Sequence, residues 1–284
     1  MQPDSGSPYA EVIGDPIAHS KSPLIHKHWL VELGIAADYR ATRVPAAEIA
    51  LFLQSRRSDA NWRGCNVTIP HKETVLPYLD HVDGRASIVG AVNTIVRTRE
   101  GLAGYNTDVD GIGAALGDTR LDGRKAAVIG AGGGARAALA YLGSRSVSEV
   151  GLLARNPDKA RHLESIAGGK LVIGSFSNAG PLLNGATAII NASPLGMVGY
   201  PEMSDDLLAA IAVQSGATRF DMVYSPLQTR FLSAGQGPAV DGLTMLIGQA
   251  ARAFELFFGQ SPPRADARLR KVLTDAFGTK ANDK

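Results

Sequence analysis

The stretch KAAVIGAGGGARAALAYLG, residues 125–143, constrains the fold of this chain more than any other. A short apolar run, the pattern of a buried strand, ends in a glycine cluster and opens an alanine-rich segment of helical texture. Gly130, Gly132 and Ala135 stand at G-x-G-x-x-G/A spacing. In that pattern the first glycine permits a tight turn, the second lets the backbone approach a pyrophosphate, and the small third residue allows helix–strand packing. Phosphates then rest on the helix N-terminus, across Gly130, Ala131, Gly132, Gly133, Gly134 and Ala135. Glycines also serve ordinary turns, so the spacing alone decides little. Strand, turn and helix in that order favour dinucleotide binding.

The end of the next strand selects between dinucleotides. Enzymes that use NAD usually place an acid about 20 residues past the glycines, on the ribose hydroxyls. Here the text is LLARNPDKAR, with Arg155 at the strand end and Lys159 in the following turn. An arginine there can grip a 2′-phosphate through bidentate, charge-assisted bonds. The competing reading is a solvated basic helix start, which suits Lys159 better than Arg155. Asp158 falls late for the ribose role and reads equally as a first-turn helix acid. The balance favours NADP.

Further short strands in VGLLAR, GKLVIG, ATAIINA and ATRFDMVY continue the rhythm of a doubly wound domain. Before Asp108 the texture differs: AEVIG, GCNVTIP and GAVNTIV alternate with helical patterns such as PLIHKHWLVELG. That alternation points to mainly parallel strands with crossover helices. A long amphipathic helix, LTMLIGQAARAFELFFG, closes the chain with no strand to follow. The expectation is an α/β protein of two domains with a cleft between them. A substrate domain of residues 1–108, completed by 242–284, would frame a Rossmann-type NADP-binding domain of residues 109–241.

Composition excludes several classes. At 284 residues the chain can bury a sizeable core. The formal net charge of +2 is too small to argue for nucleic acid or an anionic membrane. The single cysteine, Cys65, rules out an intrachain disulfide and suits a reducing cytoplasm; its bland reading is a small core residue. The opening MQPDSGSP lacks the basic and apolar regions of a signal peptide. No apolar run approaches the ~20 residues of a membrane span. The tail GTKANDK reads as frayed. No His, Cys and acid cluster has metal-ligand spacing, and His26, His28 and His71 read as core or surface residues. There is no G-x-S-x-G nucleophile elbow.

The stretch GCNVTIPHK, residues 64–72, breaks a local rule. Asn66 and Thr68 alternate with Val67 and Ile69, as on a strand with one polar face. Pro70 reads as the first residue of a helix. Lys72 would then lie in the first helical turn, where the dipole disfavours a cation by ~0.3–1 kcal/mol. Four other stretches place polar groups at element ends. In GDPIAHSKSPLIH, an extended backbone would aim the Ser20 and Ser22 hydroxyls the same way, although Ser22 also reads as a helix N-cap. Asn93 ends an apolar strand. Asn106, Thr107 and Asp108 fall where the chain leaves the first domain. Gln249 lies on or beside the buried stripe of the last helix, as a satisfied core amide or a ligand contact. Together these residues suit a small polyhydroxylated acid better than a metal, a phosphate or a nucleic acid.

From about Val12 to Pro263 the chain resembles the shikimate dehydrogenase family. The motifs GDPIAHSKSP, GCNVTIPHKE, GAVNT, GYNTDVDG, GAGGGARAAL, NASPLGM, DMVYSPLQT and DGLTMLIGQAARAFELFFG carry the likeness. The resemblance implies NADPH-dependent reduction of 3-dehydroshikimate to shikimate, in aromatic amino-acid biosynthesis in the cytoplasm, by a monomer or homodimer. It implies that Ser20 and Ser22 bind the substrate carboxylate with Tyr224. Thr68, Asn93 and Gln249 would bind ring hydroxyls with Asn66 nearby, and Lys72 and Asp108 would be the catalytic pair. Ser193, Met222 and Gly242 would join the cofactor site. Lys72 would protonate the ketone oxygen as hydride arrives, and Asp108 would orient the amine; a structural salt bridge is the alternative.

Three residues depart from the family pattern. Gly134 stands where alanine is common, Ser193 replaces a frequent threonine, and Thr244 stands where glycine is usual. Within the fold, the rival activities are a quinate/shikimate or aminoshikimate dehydrogenase. From another class, the rival is a silent sensor of NADP and a cyclic acid, which would have no need of the lysine–aspartate pair. A folate dehydrogenase of similar architecture fits the serine pair and GYNTDVDG poorly.

Overall fold

A strand buried at every position marks a sheet covered on both faces, and YAEVIG is buried throughout its six residues, its one acid Glu11 paired with Arg56 at 2.7 Å. The computed structural model describes residues 6–278, and the calls on the first five residues and on the tail from 279 onward lie outside the described residues. Contacts divide the chain into two compact units. One runs to Thr107 and resumes at Gln249; the other spans Asp108–Gly248. The sequence expectation had drawn these borders after Asp108 and before Gly242.

The first unit carries β1 (Tyr9–Gly14), α1 (Ser22–Glu32), β2 (Asp38–Arg43), α2 (Ile49–Arg57), β3 (Trp62–Val67), β4 (His81–Val82), α3 (Gly84–Val89), β5 (Thr94–Thr98) and β6 (Gly101–Tyr105). Its sheet order is β2-β1-β3-β5-β6-β4. The pairs β1–β2, β1–β3 and β4–β6 are parallel, whereas β3–β5 and β5–β6 are antiparallel. The tight Arg99–Glu100 turn makes β5 and β6 a hairpin. The β3–β5 pairing sets Asn66 directly opposite Thr94.

The second unit carries α4 (Asp108–Leu116), β7 (Lys125–Ile129), α5 (Gly133–Ser144), β8 (Glu149–Leu153), α6 (Pro157–Ala160), β9 (Lys170–Gly174), α7 (Ala179–Leu183), β10 (Ala186–Asn191), α8 (Asp205–Ala212), β11 (Thr218–Asp221), α9 (Arg230–Ser233) and β12 (Ala239–Val240). Its six strands are all parallel, in the order β12-β11-β10-β7-β8-β9. That is the 3-2-1-4-5-6 order of a doubly wound dinucleotide fold, which places ligands outside the carboxyl ends of the strands. Alanines make the close packing possible: Ala126 and Ala127 on β7 and Ala135, Ala137 and Ala138 on α5 are all fully buried.

The helix α10 (Gly242–Phe258) belongs to the second unit through Gly248 and to the first from Gln249. In the first unit its Phe254 meets Trp29 of α1 edge-on at 5.6 Å. Both rings are essentially buried, a contribution of about 2–3 kcal/mol each. This is not the closing element: α11 (Ala267–Gly278) follows it. The sequence expectation missed α11 because its exposed face is rich in arginine and lysine and its apolar stripe is short. Leu269 and Leu273 are the positions it buries deeply.

Candidate active site

In the first unit, strand pairing gathers polar side chains into one hydrogen-bonded chain. The Ser22 hydroxyl bonds to the Tyr39 hydroxyl, and Tyr39 in turn donates to Asn66 Oδ1 at 2.5 Å. Asn66 Nδ2 donates to Thr94 Oγ1 at 2.9 Å and more weakly to the Asn93 carbonyl. Thr94 Oγ1 donates to Asn93 Oδ1 at 3.1 Å, which also accepts the Thr107 backbone N–H at 2.7 Å. Asn93 Nδ2 donates to Gln249 Oε1 at 3.2 Å. Ser22, Asn66, Asn93 and Gln249, far apart in sequence, are therefore neighbours in one network. Tyr39 is fully buried and stacks face to face on His26 at 4.0 Å. Burial holds its hydroxyl well above the usual phenol range, so it remains a proton donor.

The network assigns its members different tasks. Asn66 spends its oxygen on Tyr39 and its amide on Thr94 and Asn93, which makes it a brace. Among the described residues, the Gln249 Nε2 group and the Thr68 hydroxyl have no protein acceptor, and each residue is half-buried. These two are donors available to a ligand. Asn106 is buried apart from them, its amide on the Ala91 carbonyl at 2.9 Å.

Two local readings require correction. No helix begins at Pro70: residues 69–75 form consecutive turns, closed by the His71 N–H on the Thr68 carbonyl at 2.9 Å. Lys72 is therefore not set against a helix dipole, and its placement has another cause. Its carbonyl accepts the Val92 N–H at 2.7 Å, which holds the Lys72 backbone beside Asn93. The Ser20–Ser22 backbone is not extended either. Lys21 is helical (φ −94°, ψ −5°) and caps α1, and Ser22 is already its first residue. The Ser22 N–H donates to Ser20 Oγ at 3.3 Å. Ser20 thus orients α1's first turn while keeping its own proton.

Asp108 opens α4 in the second unit, nearly buried, directly after the Thr107 that Asn93 pins. An acid in a first helical turn is favoured by the dipole. Along the carboxyl ends of this unit's strands, Gly130 has φ +109°, which a side chain rarely adopts, and a Cβ there would lie 2.9 Å from the Ala192 carbonyl oxygen. A Cβ on Gly134 would lie 2.9 Å from Met222 Sδ, whereas Gly132 and Gly133 face open space. The backbone of the glycine turn is thus bare where a phosphate would approach, with Ser193 and Met222 against it. Gly242 donates its N–H to the Val223 carbonyl at 3.3 Å and lies at the same rim. Arg155 and Lys159 are exposed just beyond β8, and Asp158 pairs with Arg161 at 3.5 Å. Asp158 is thereby a helix-start acid, and no acid takes the ribose position at the end of β8. The donor set fits a dinucleotide carrying a 2′-phosphate. Tyr224 projects from the loop after β11 and is 39% exposed. Thr244 is spent on the start of α10, its N–H and hydroxyl both bonded to Asp241 Oδ1 at 3.1 and 3.2 Å.

The reading from sequence overlooked Tyr39, Thr94, Asn191 and Asp221. Asn191 ends an apolar strand with a buried polar side chain, the same signal that drew attention to Asn93, whereas Asp221 ends the mixed strand TRFD and gave no such signal. Tyr39 and Thr94 left no comparable mark, because either is an ordinary strand residue.

Comparison with known proteins adds an independent line. The family model described as the shikimate dehydrogenase substrate binding domain matches residues 12–95, and the one described as the shikimate 5′-dehydrogenase C-terminal domain matches residues 242–268. A protein of Sphingopyxis alaskensis named shikimate dehydrogenase (NADP(+)) is 47% identical over 272 residues, covering 94% of this chain and 97% of that protein. This chain belongs to the shikimate dehydrogenase family. Two solved structures of similar shape show the family's breadth. The shikimate 5-dehydrogenase of Listeria monocytogenes, in complex with shikimate and NAD, aligns with a TM-score of 0.87 at 28% identity, over 96% of this chain and 98% of that one. The quinate dehydrogenase of Corynebacterium glutamicum, in complex with NAD, aligns with a TM-score of 0.82 at 28% identity, over 95% and 99%. Among the described residues, no helix is long and apolar enough to cross a membrane.

Proposed function

We propose that this oxidoreductase reduces 3-dehydroshikimate to shikimate, reversibly, with NADPH. The observation that carries the reading is the polar network of the first unit, which runs through Asn93, beside the residue that holds the Lys72 backbone, to the amide donor of Gln249. Such a set of neutral donors and one ammonium suits a ring bearing hydroxyls and a ketone. NADPH, when bound, supplies the hydride. The residues to hold it are those of the glycine turn from Gly130 to Ala135, with Ser193, Met222 and Gly242 at the nicotinamide half and Arg155 and Lys159 at the 2′-phosphate.

Lys72 carries the proton. As the ketone carbon is reduced, negative charge grows on its oxygen, and a lysine ammonium stabilises that charge and donates its proton. In the reverse direction the neutral amine removes the hydroxyl proton. Asp108 is the carboxylate of the pair and orients the amine. Ser20 donates its hydroxyl to the substrate carboxylate. Ser22 has a single hydroxyl proton, so service to the same carboxylate would draw it away from Tyr39. Tyr224 completes that end, and Thr68, Asn93 and Gln249 bind the ring hydroxyls.

The alternative within the family, oxidation of quinate, draws support from the likeness to the Corynebacterium enzyme. Quinate has a saturated ring and an extra hydroxyl on the carbon that bears the carboxylate, so discrimination falls to Ser20, Ser22 and Tyr224. Initial rates with shikimate and quinate, each with NADP and NAD, test the proposal. The expected result is a kcat/KM for shikimate at least ~10²-fold above that for quinate, the scale on which a pocket rejects an added hydroxyl, and a preference for NADP. Comparable rates with quinate and NAD would overturn it.

A further inference from the structure

At the carboxyl end of β11 lies a buried carboxylate with an unusual set of partners. Asp221 has no solvent exposure. Its Oδ1 accepts the Val223 N–H at 2.9 Å and Asn191 Nδ2 at 2.9 Å; its Oδ2 accepts the Thr229 hydroxyl at 2.6 Å. Every partner is neutral, and burial raises the carboxyl above its ordinary range. A carboxylate enclosed without a cation is expensive, and an apolar side chain would fill the same space at lower cost. The compensation lies in what the carboxylate ties together.

Asn191 sits beside Asp221 in the parallel register of β10 and β11. Its own Oδ1 accepts the Ser193 N–H and hydroxyl at 3.1 and 2.7 Å, and its amide also donates to the Leu195 carbonyl at 3.1 Å. Asn191 thereby shapes the turn that presses on Gly130. Thr229 accepts the Leu232 N–H and caps α9, which ends the loop carrying Met222 and Tyr224. The Val198 N–H to the Ser225 carbonyl, at 3.0 Å, links the two loops above. Asp221 is therefore the point at which both loops are anchored, one residue from the Met222 whose sulfur lies against Gly134.

We propose that Asp221 is a positioning residue for the nicotinamide half of the cofactor, acting through Asn191 and Thr229 on Ser193 and Met222. It touches neither cofactor nor substrate. This inference rests on the dinucleotide reading of the same unit and says which half of that ligand the network serves. Loss of the carboxylate loosens the two loops but leaves the adenosine end, at Arg155 and Lys159 beyond β8, undisturbed.

The test uses Asp221→Asn and Thr229→Val in the full chain, each checked for folding by circular dichroism. Two quantities are compared: steady-state kinetics with shikimate and NADP, and the Kd of adenosine 2′,5′-bisphosphate, a probe of the adenosine end alone. The expected result is a fall in kcat/KM for NADP of at least about tenfold, since small misplacements of a reacting group cost up to roughly 10²-fold, with the bisphosphate Kd within about twofold of wild type. Should Asp221→Asn not fold, Thr229→Val carries the same expectation, because it removes the hydroxyl's bonds to Asp221 and the Leu232 N–H and keeps the shape of the side chain. Unchanged kinetics in a folded variant would overturn the proposal. Equal losses for NADP and the bisphosphate would also overturn it, since that marks a structural role for the whole unit. Failure of the parent reading looks different: the wild type itself would then bind neither probe.

Discussion

Replacing Tyr39 with phenylalanine removes one oxygen from the middle of the first unit's polar network and leaves the rest of the side chain in place. The ring still stacks on His26 at 4.0 Å, so packing is retained. What disappears is the donor to Asn66 Oδ1 and the acceptor for Ser22. The net value of a buried hydrogen bond is about 0.5–1.5 kcal/mol, and an orphaned partner costs about 1–3 kcal/mol. Asn66 is only half-buried, so water can partly serve its oxygen and the loss falls toward the lower figure. A destabilisation of about 1–2 kcal/mol lowers the melting midpoint by roughly 2–8 °C. The kinetic effect is more specific. Without Tyr39 the Asn66 amide is free to turn, and the Thr94, Asn93 and Gln249 orientations that depend on it lose definition. With shikimate varied at saturating NADP, kcat/KM is expected to fall about tenfold, the equivalent of about 1.4 kcal/mol, while the KM for NADP holds. Thermal denaturation and initial-rate assays read both effects. A Tyr39→Phe protein with wild-type midpoint and wild-type shikimate kinetics would refute the idea that the network sets the site.

Lys72→Ala is expected to lower kcat by ~10²–10⁴-fold, the usual size of a general acid–base contribution, and a variant retaining nearly full kcat removes Lys72 from the chemistry. Arg155→Ala, at an exposed position, should raise the KM for NADP by about tenfold, the lower end for a charge-assisted bond, and leave that for NAD nearly unchanged; parallel shifts for both cofactors would count against a 2′-phosphate contact. His26, fully buried with both ring nitrogens unpartnered, has its pKa pushed down from 6.5 to about 3 by desolvation. Between those values the unfolded chain binds a proton that the folded chain refuses, so His26 makes stability fall as pH drops from 6.5 toward 3. Denaturant titrations across that window should show a shallower loss for His26→Phe than for wild type, by a few kcal/mol at the acid end; identical slopes would mean that His26 does not titrate as the burial implies.

The sequence alone determined the pattern of elements in the second unit. The run from Lys125 to Gly143 combines a buried apolar strand, a glycine turn and a small-residue helix, an order of local preferences that a doubly wound dinucleotide fold puts to use. Arg155 and the absent acid were equally legible, because they lie within one strand and turn. Local chemistry failed at Pro70 and at Lys21–Ser22. A proline before polar residues suits a helix start and a tight turn alike, and the choice fell to the Thr68 and Lys72 carbonyls, which bond to His71 and Val92. Whether Asn66 braces the site or faces a ligand was also beyond the sequence, since its partners Tyr39, Thr94 and Asn93 come from two other strands and the residue before one of them. Asp221 and Asn191 mark the same division. Asn191 is visible as a polar residue ending an apolar strand and Asp221 as the acid closing TRFD, but only the parallel register of β10 and β11 sets them side by side. Periodicity and turn chemistry act over a few residues and are written in order along the chain. Hydrogen bonds across a sheet join residues whose separation in sequence carries no signal, so the tertiary fold alone decides which polar groups are spent on one another and which remain for a ligand.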